Sequence, residues 1–203
     1  WFMSHNMGSL ENLCTKAIVL NKGKITFEGN QSEAIENYLN DANKIQQKKN
    51  LGKSESILAI NELKCQDRQG KKISFLKNGE DVHLQLLYTI NGNIDHLNMT
   101  YVSIRFVNVN GINVFTHSNR FVDQRYTTEE IRKSKAFLVT IRELPIPRGS
   151  YTIDTVIVHG NTKLDEKIAL RKIEVIDGSF GNNIINPHPV HGVSLIKAEW
   201  NIK

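Results

Sequence analysis

From Val82 to Ile90 the chain alternates. Val82, Leu84, Leu86, Tyr88 and Ile90 are apolar or aromatic, and His83, Gln85 and Thr89 between them are polar. Residues two apart share one face of a β-strand, so a run of this kind buries one face and leaves the other open. The pattern returns. Val102, Ile104 and Phe106 alternate with Tyr101, Ser103 and Arg105; Phe137, Val139 and Ile141 repeat it, as do Tyr151, Ile153, Thr155 and Ile157. Shorter strand-like runs cover Ile57 to Cys65, Val114 to His117, Ile168 to Ile176 and Val193 to Trp200. Turn-forming residues separate them at Asp67-Arg68-Gln69-Gly70, Asn78-Gly79, Asn91-Gly92-Asn93, Asn110-Gly111 and Pro147-Arg148-Gly149. The one helical exception predicted here is a capped turn at Thr127-Thr128-Glu129-Glu130-Ile131. About eight strands with no long helix between them predict a mainly β fold, an antiparallel sandwich of jelly-roll or immunoglobulin-like type over residues 57–203.

The first forty residues read differently, as short α/β pieces. Met7, Leu10 and Leu13-Cys14 are spaced for a helix, Ala17-Ile18-Val19-Leu20 for a strand, Asn21-Lys22-Gly23-Lys24 for a hairpin turn and Ile25-Thr26-Phe27-Glu28 for the returning strand. Ser32 is the predicted N-cap of a following helix whose apolar face is Ala34, Ile35, Tyr38 and Leu39. Residues 41–56 are polar with little to bury, which is the composition of a linker with a helical first half. The expected division is therefore a 1–40 piece, a 41–56 linker and a 57–203 domain.

Composition excludes several classes. The hydrophobic fraction of 39% supports a packed core, and two cysteines, Cys14 and Cys65, are too few for a disulfide framework. No apolar run is long enough to span a bilayer. The net charge of +5 divides as +1 over residues 1–56 (7 basic, 6 acidic) and +4 over residues 57–203 (19 basic, 15 acidic). Spread so thinly, it tolerates an anionic partner and argues against nucleic acid. Trp1-Phe2-Met3 lacks the start of a signal peptide, and the expectation is that the chain is cut from a longer one.

Catalytic and metal motifs are weak. Gly52-Lys53-Ser54 ends like a phosphate-binding loop, yet Gln47 stands where the first glycine belongs and no apolar strand precedes it. His188 and His191, flanked by Pro187 and Pro189, have no cysteine or carboxylate at ligand spacing, so they read as a proline-bearing connection, with no metal expected. No nucleophile motif occurs. Lys44, Lys48, Lys49 and Lys53 make a solvated basic tether, or one that touches anionic headgroups.

Ser4-His5-Asn6, followed by the segment from Gly8 to Ile25, closely resembles the tail of an ABC-transporter nucleotide-binding domain. In that family a strand ends in Ser-His, and the histidine reaches the ATP γ-phosphate. The resemblance implies that role for His5, with ATP and Mg²⁺ as cofactors of the full-length parent. The chain itself has no Walker A, signature or Walker B segment, so no catalysis and no cofactor are expected of it alone. A sandwich placed after such a tail resembles the ATP-binding subunits of O-antigen and related polysaccharide exporters, the Wzt type. Supporting segments are Asp67 to Gly70, Val102 to Phe106, Asn110 to Phe115, Pro147 to Ile153 and Gly192 to Trp200.

This second resemblance implies that the sandwich recognises a lipid-linked O-antigen or related polysaccharide and couples its selection to export. It implies a membrane-spanning exporter subunit as partner, a homodimer, and a cytoplasmic position at the inner face of the bacterial inner membrane. The alternative is a non-catalytic interaction module that docks the ATPase to the membrane subunit or to glycosyltransferases. For a glycan site, the outward set opposite the predicted core offers Tyr101, Ser103, Arg105, His83, Gln85 and Asp154, which supply hydrogen-bonding groups and an aromatic face; Arg105 would also suit an anionic substituent. The run from Val193 to Trp200 follows a proline-bearing connection, so exchange of that strand between protomers is a further expectation.

Overall fold

The computed structural model describes residues 3, 7, 10, 13–50, 55–67, 69–180 and 192–195, without side chains at 40 and 42–50. His5, Gly52-Lys53-Ser54 and the segments 181–191 and 196–203 therefore lie outside the described residues.

Met7, Leu10 and Leu13 are helical, as their spacing predicts, and a hairpin follows, β1 (Lys16–Asn21) paired with β2 (Lys24–Asn30). Its turn holds Lys22 and Gly23 at positive φ, 51° and 77°. Helix α1 (Gln31–Asn50) follows directly. Its first turn is capped by Asn30, whose Oδ1 accepts a hydrogen bond from the Glu33 N–H at 2.8 Å, so the cap lies two residues before the expected Ser32. The helix runs through Asn50, ten residues into the expected linker.

The sandwich has two sheets. Three strands, β3 (Leu58–Gln66), β5 (Val82–Ile90) and β8 (Ala136–Ile141), form one sheet in the order β3-β5-β8. The other is ordered β4-β10-β9-β6-β7, from β4 (Phe75–Lys77), β6 (Thr100–Asn108), β7 (Asn113–Ser118), β9 (Gly149–His159) and β10 (Thr162–Ile176). All pairings are antiparallel except the three-residue parallel match of β4 to β10. Strand β10 starts six residues before the expected Ile168, because Gly160-Asn161 makes a tight hairpin with β9 that the sequence reading missed. Between β7 and β8 lie a single 3₁₀ turn (Asn119–Val122) and α2 (Thr128–Lys133). The expected capping box is present there. The Thr127 hydroxyl accepts from the Glu130 N–H, and the Glu130 carboxylate accepts from the Thr127 N–H. Val193 and Ser194 form a bend rather than the start of a strand, and the Leu195 N–H donates to the Pro145 carbonyl at 2.7 Å.

The alternation predicts the core well. Leu84, Leu86 and Tyr88 of β5 meet Ile104 and Phe106 of β6, Ile153 and Ile157 of β9, and Ile173 of β10 in one buried cluster. Each such side chain contributes about 1.5–3 kcal/mol relative to exposure. Phe106 stacks on Phe115 with centroids 4.7 Å apart, and Tyr88 on Phe137 at 4.5 Å.

Where β3 faces β10, side chains take over from the sheet ladder. Arg171, 2% exposed, donates from Nη1 to the Leu63 carbonyl at 3.1 Å and from Nη2 to the Ile73 carbonyl at 3.2 Å. Asp165 accepts the Ile60 N–H at 2.7 Å, and the Ser56 hydroxyl donates to the Leu164 carbonyl at 2.6 Å. These contacts satisfy buried backbone groups that would otherwise be orphaned. A second, smaller cluster joins Met7 with Ile35 and Leu39 of α1 to Ile176 of β10, with Phe75 of β4 against it.

Candidate functional site

On the outer face of the five-stranded sheet, Tyr101, Ser103 and Arg105 lie on β6. Arg105 is directly opposite Asp154 of β9 on one side and Thr116 of β7 on the other. Its guanidinium stands 3.7 Å from the Asp154 carboxylate. The other Asp154 oxygen accepts the Ala169 N–H at 2.8 Å, at a bulge in β10 where Ala169 holds φ 48°. Asp154 thus anchors the bulge and faces Arg105 at once. It is 7% exposed, against the expectation of an outward residue, because the bulge folds over it. Tyr101 is 6% exposed for a similar reason, since the Arg120 guanidinium carbon sits 5.3 Å from its ring centroid and covers it. What this face presents is the Arg105 guanidinium and the hydroxyls of Ser103 and Thr116, with Asp154 orienting from beneath.

His83 and Gln85 lie elsewhere. They are on β5, on the outer face of the three-stranded sheet, with the core between them and the Arg105 face. His83 Nδ1 is 3.0 Å from the Thr140 hydroxyl, and Gln66 donates to the Gln85 side-chain oxygen at 3.4 Å. The six expected site residues therefore divide into four on one sheet and two on the other, and cannot touch one glycan unit together.

The sequence reading missed a third feature. A cleft of about 650 Å³ opens at the end of the sandwich where the β3–β4 loop, β4, the β4–β5 turn and the end of β8 meet. Gly79 holds its edge with φ 73°, and a Cβ there would stand 2.4 Å from the Phe180 nitrogen. Asp81 in this wall pairs with Arg142 at 2.5 Å and accepts the Glu143 N–H at 3.1 Å. These residues are 61 and 62 apart in sequence, so only the turn at Asn78-Gly79 was visible beforehand.

Among the described residues no three His, Cys, Asp or Glu side chains are grouped to hold a metal ion, and no helix is long and apolar enough to cross a membrane.

No family model matches the chain, and no curated protein matches it. Among solved structures it is similar to the C-terminal domain of Wzt, at TM-score 0.56 and 11% identity, over 74% of this chain and 86% of that one. The sandwich has the fold of the Wzt C-terminal domain. Looser likenesses reach the CARDB domain of a Pyrococcus furiosus protein solved with two metal ions (TM-score 0.32, 14% identity, 58% of this chain and 82% of that one) and an immunoglobulin-like protein of Pseudomonas aeruginosa (TM-score 0.34, 9% identity, 61% and 99%). The fold expected from the alternation and the fold of the Wzt domain are the same.

Proposed function

We propose that the sandwich recognises the polysaccharide handled by an ABC exporter, as a non-catalytic module, and that residues 1–40 belong with that exporter's nucleotide-binding unit. The carrying observation is the Wzt-type fold in a chain whose first 25 residues resemble the tail of an ABC ATPase. The observed hairpin β1–β2 leading straight into α1 supports it. In this reading ATP and Mg²⁺ belong to the nucleotide site of the whole transporter, with His5 directed at the γ-phosphate. The partners are the membrane-spanning subunit and a second copy of the chain, and the place of action is the inner face of the bacterial inner membrane.

The proposed glycan face is the Arg105 side of the five-stranded sheet. Sugar hydroxyls need paired donors and acceptors, and Arg105, Ser103 and Thr116 supply them within one cross-strand row and its neighbour. Arg105 keeps a side-chain exposure of 39%, so its donors are open while Asp154 fixes its direction. The test is titration of the chain with oligosaccharide fragments of the producing strain's surface polysaccharide. Arg105→Ala is expected to weaken binding about tenfold or more, the loss of a hydrogen bond to a charged donor. Unchanged affinity in both Arg105→Ala and Ser103→Ala moves the glycan off this face. Capture of the membrane subunit with no glycan binding at all favours the interaction-module reading instead.

A further inference from the structure

Two histidines meet at the end of the sandwich away from the cleft. Val82, at the start of β5, lines the cleft, whereas His96 follows the far end of that strand and His159 ends β9. His96 sits in a turn closed by the Leu97 N–H donating to the Ile94 carbonyl at 2.9 Å, and both Ile94 and Leu97 are buried. His159 is held in register with Thr100 of β6 and Thr162 of β10. Both backbones are thereby fixed, and the two rings stand with centroids 5.8 Å apart and planes at 89°. His96 is exposed and His159 half-buried. The His159 Nδ1 atom is out of solvent and has no hydrogen-bond partner. An edge-to-face ring contact accounts for the packing and leaves that nitrogen unexplained, since a polar atom removed from water without a partner costs free energy. A metal ion repays that cost, because a neutral imidazole carries one nitrogen with a free lone pair.

The spacing fits such an ion. A metal–nitrogen bond of about 2.0–2.1 Å puts the ion about 3.2 Å from the centre of each ligating ring. Two such rings are then about 5.2 Å apart at the tetrahedral angle and about 5.8 Å apart at about 130°. Rotation about the metal–nitrogen bonds leaves the angle between the planes free. Asp95, beside His96 in sequence, is engaged by Arg132 of α2, so the protein's ligands are the two imidazoles. We propose that His96 and His159 bind a divalent transition-metal ion of the zinc class, and that the ion ties the β5–β6 loop to the β9–β10 hairpin. Imidazole suits zinc, copper and nickel, whereas calcium and magnesium take oxygen ligands. Two protein ligands leave the other positions of a four-coordinate ion to water on the exposed His96 side. The proposal is independent of the polysaccharide reading, since neither histidine belongs to the row of Ser103, Arg105 and Thr116.

The experiment titrates Zn²⁺ into the metal-free, ¹⁵N-labelled full chain and follows the imidazole resonances, with Tm measured before and after saturation. Wild type, His96→Ala, His159→Gln and His83→Ala are compared. The expected result is that the His96 and His159 resonances shift together and saturate, and that Tm rises with bound zinc. Affinity is expected to fall about tenfold or more in His96→Ala and in His159→Gln, and to hold in His83→Ala. His96 is exposed, so its alanine variant keeps the fold even if His159→Gln does not. Equal affinity in wild type and His96→Ala puts the ion elsewhere and overturns the proposal. So does the absence of saturable shifts at these two histidines up to about 1 mM Zn²⁺. Binding at both histidines with no change in Tm overturns the tie between the loop and the hairpin.

Discussion

Replacing Arg171 by methionine tests whether side chains hold the two sheets together where β3 faces β10. The guanidinium is 2% exposed and donates to two carbonyls on the far side of the core, those of Leu63 and Ile73, 108 and 98 residues away in sequence. A hydrogen bond from a charged donor contributes about 1.5–3 kcal/mol, so two are worth about 3–6 kcal/mol gross. Methionine fills most of the volume and removes the cost of burying a cation, which returns part of that sum. The net loss expected is about 3 kcal/mol. With a urea slope of about 2 kcal/mol per molar, the unfolding midpoint falls by about 1.5 M at unchanged slope. Circular dichroism during a urea titration measures it. Arg171→Lys keeps the charge but not the planar fork, and is expected to fall as well. Lys71→Met, at an exposed residue, serves as the control and stays within about 0.25 M. A fall below about 0.3 M for Arg171→Met would refute the reasoning, because the two carbonyls would then be satisfied some other way.

Two further outcomes are expected. Burial raises the Glu174 carboxyl above its ordinary value of 4.5, opposed by its bond from the Ser150 hydroxyl and by Lys172. A carboxyl raised in the folded state binds its proton more tightly there, so the penalty it imposes is absent below pH 4.5 and grows as pH rises through the raised value. Glu174→Gln, which keeps an acceptor for Ser150, should therefore flatten the decline of Tm between pH 4.5 and 7.5; an identical slope in both proteins counts against this account. The Cys65 thiol is fully buried and its pKa is pushed up by that burial, against the pull of neighbouring Arg171, whereas Cys14 is half-buried. A disulfide reagent should titrate Cys14 in the native chain and Cys65 only after unfolding, and fast native reaction of both thiols would contradict the packing of the core.

Strands β5, β6, β8 and β9 were legible because their apolar residues keep to one face, and alternation is the direct record of that even where, as at Tyr101 and Asp154, the other face is covered as well. The three residues of β4 carry no period, and their parallel match to β10 has no local signature at all. The candidate site was less legible, for two physical reasons. Alternation assigns a residue to a face but not to a sheet, so His83 and Gln85 could not be told from Ser103 and Arg105. Nor does it reveal what covers a face, and Tyr101 and Asp154 are covered by Arg120 and by the β10 bulge, which come from elsewhere in the chain. The Asn30 cap was missed because Ser32 is an equally good capping residue two positions later. The cleft joins segments more than sixty residues apart, a distance at which spacing rules say nothing.

Sheet edges are where a second polypeptide can add a strand, and the described part of this sandwich has four. The edge at β3 is taken, since Ile60 N–H and Leu63 C=O are already engaged by Asp165 and Arg171. The edge at β4 is three residues long, too short to template much. That leaves β7 and β8, six residues each, with His117 of one and Val139 of the other lining the same notch. Among the described residues these are the sandwich edges open to a strand from a second copy of the chain. Within the described sandwich, Asp165 and Arg171 of β10 together close the β3 flank to strand addition, so the side chains that hold the two sheets together also guard one of its edges.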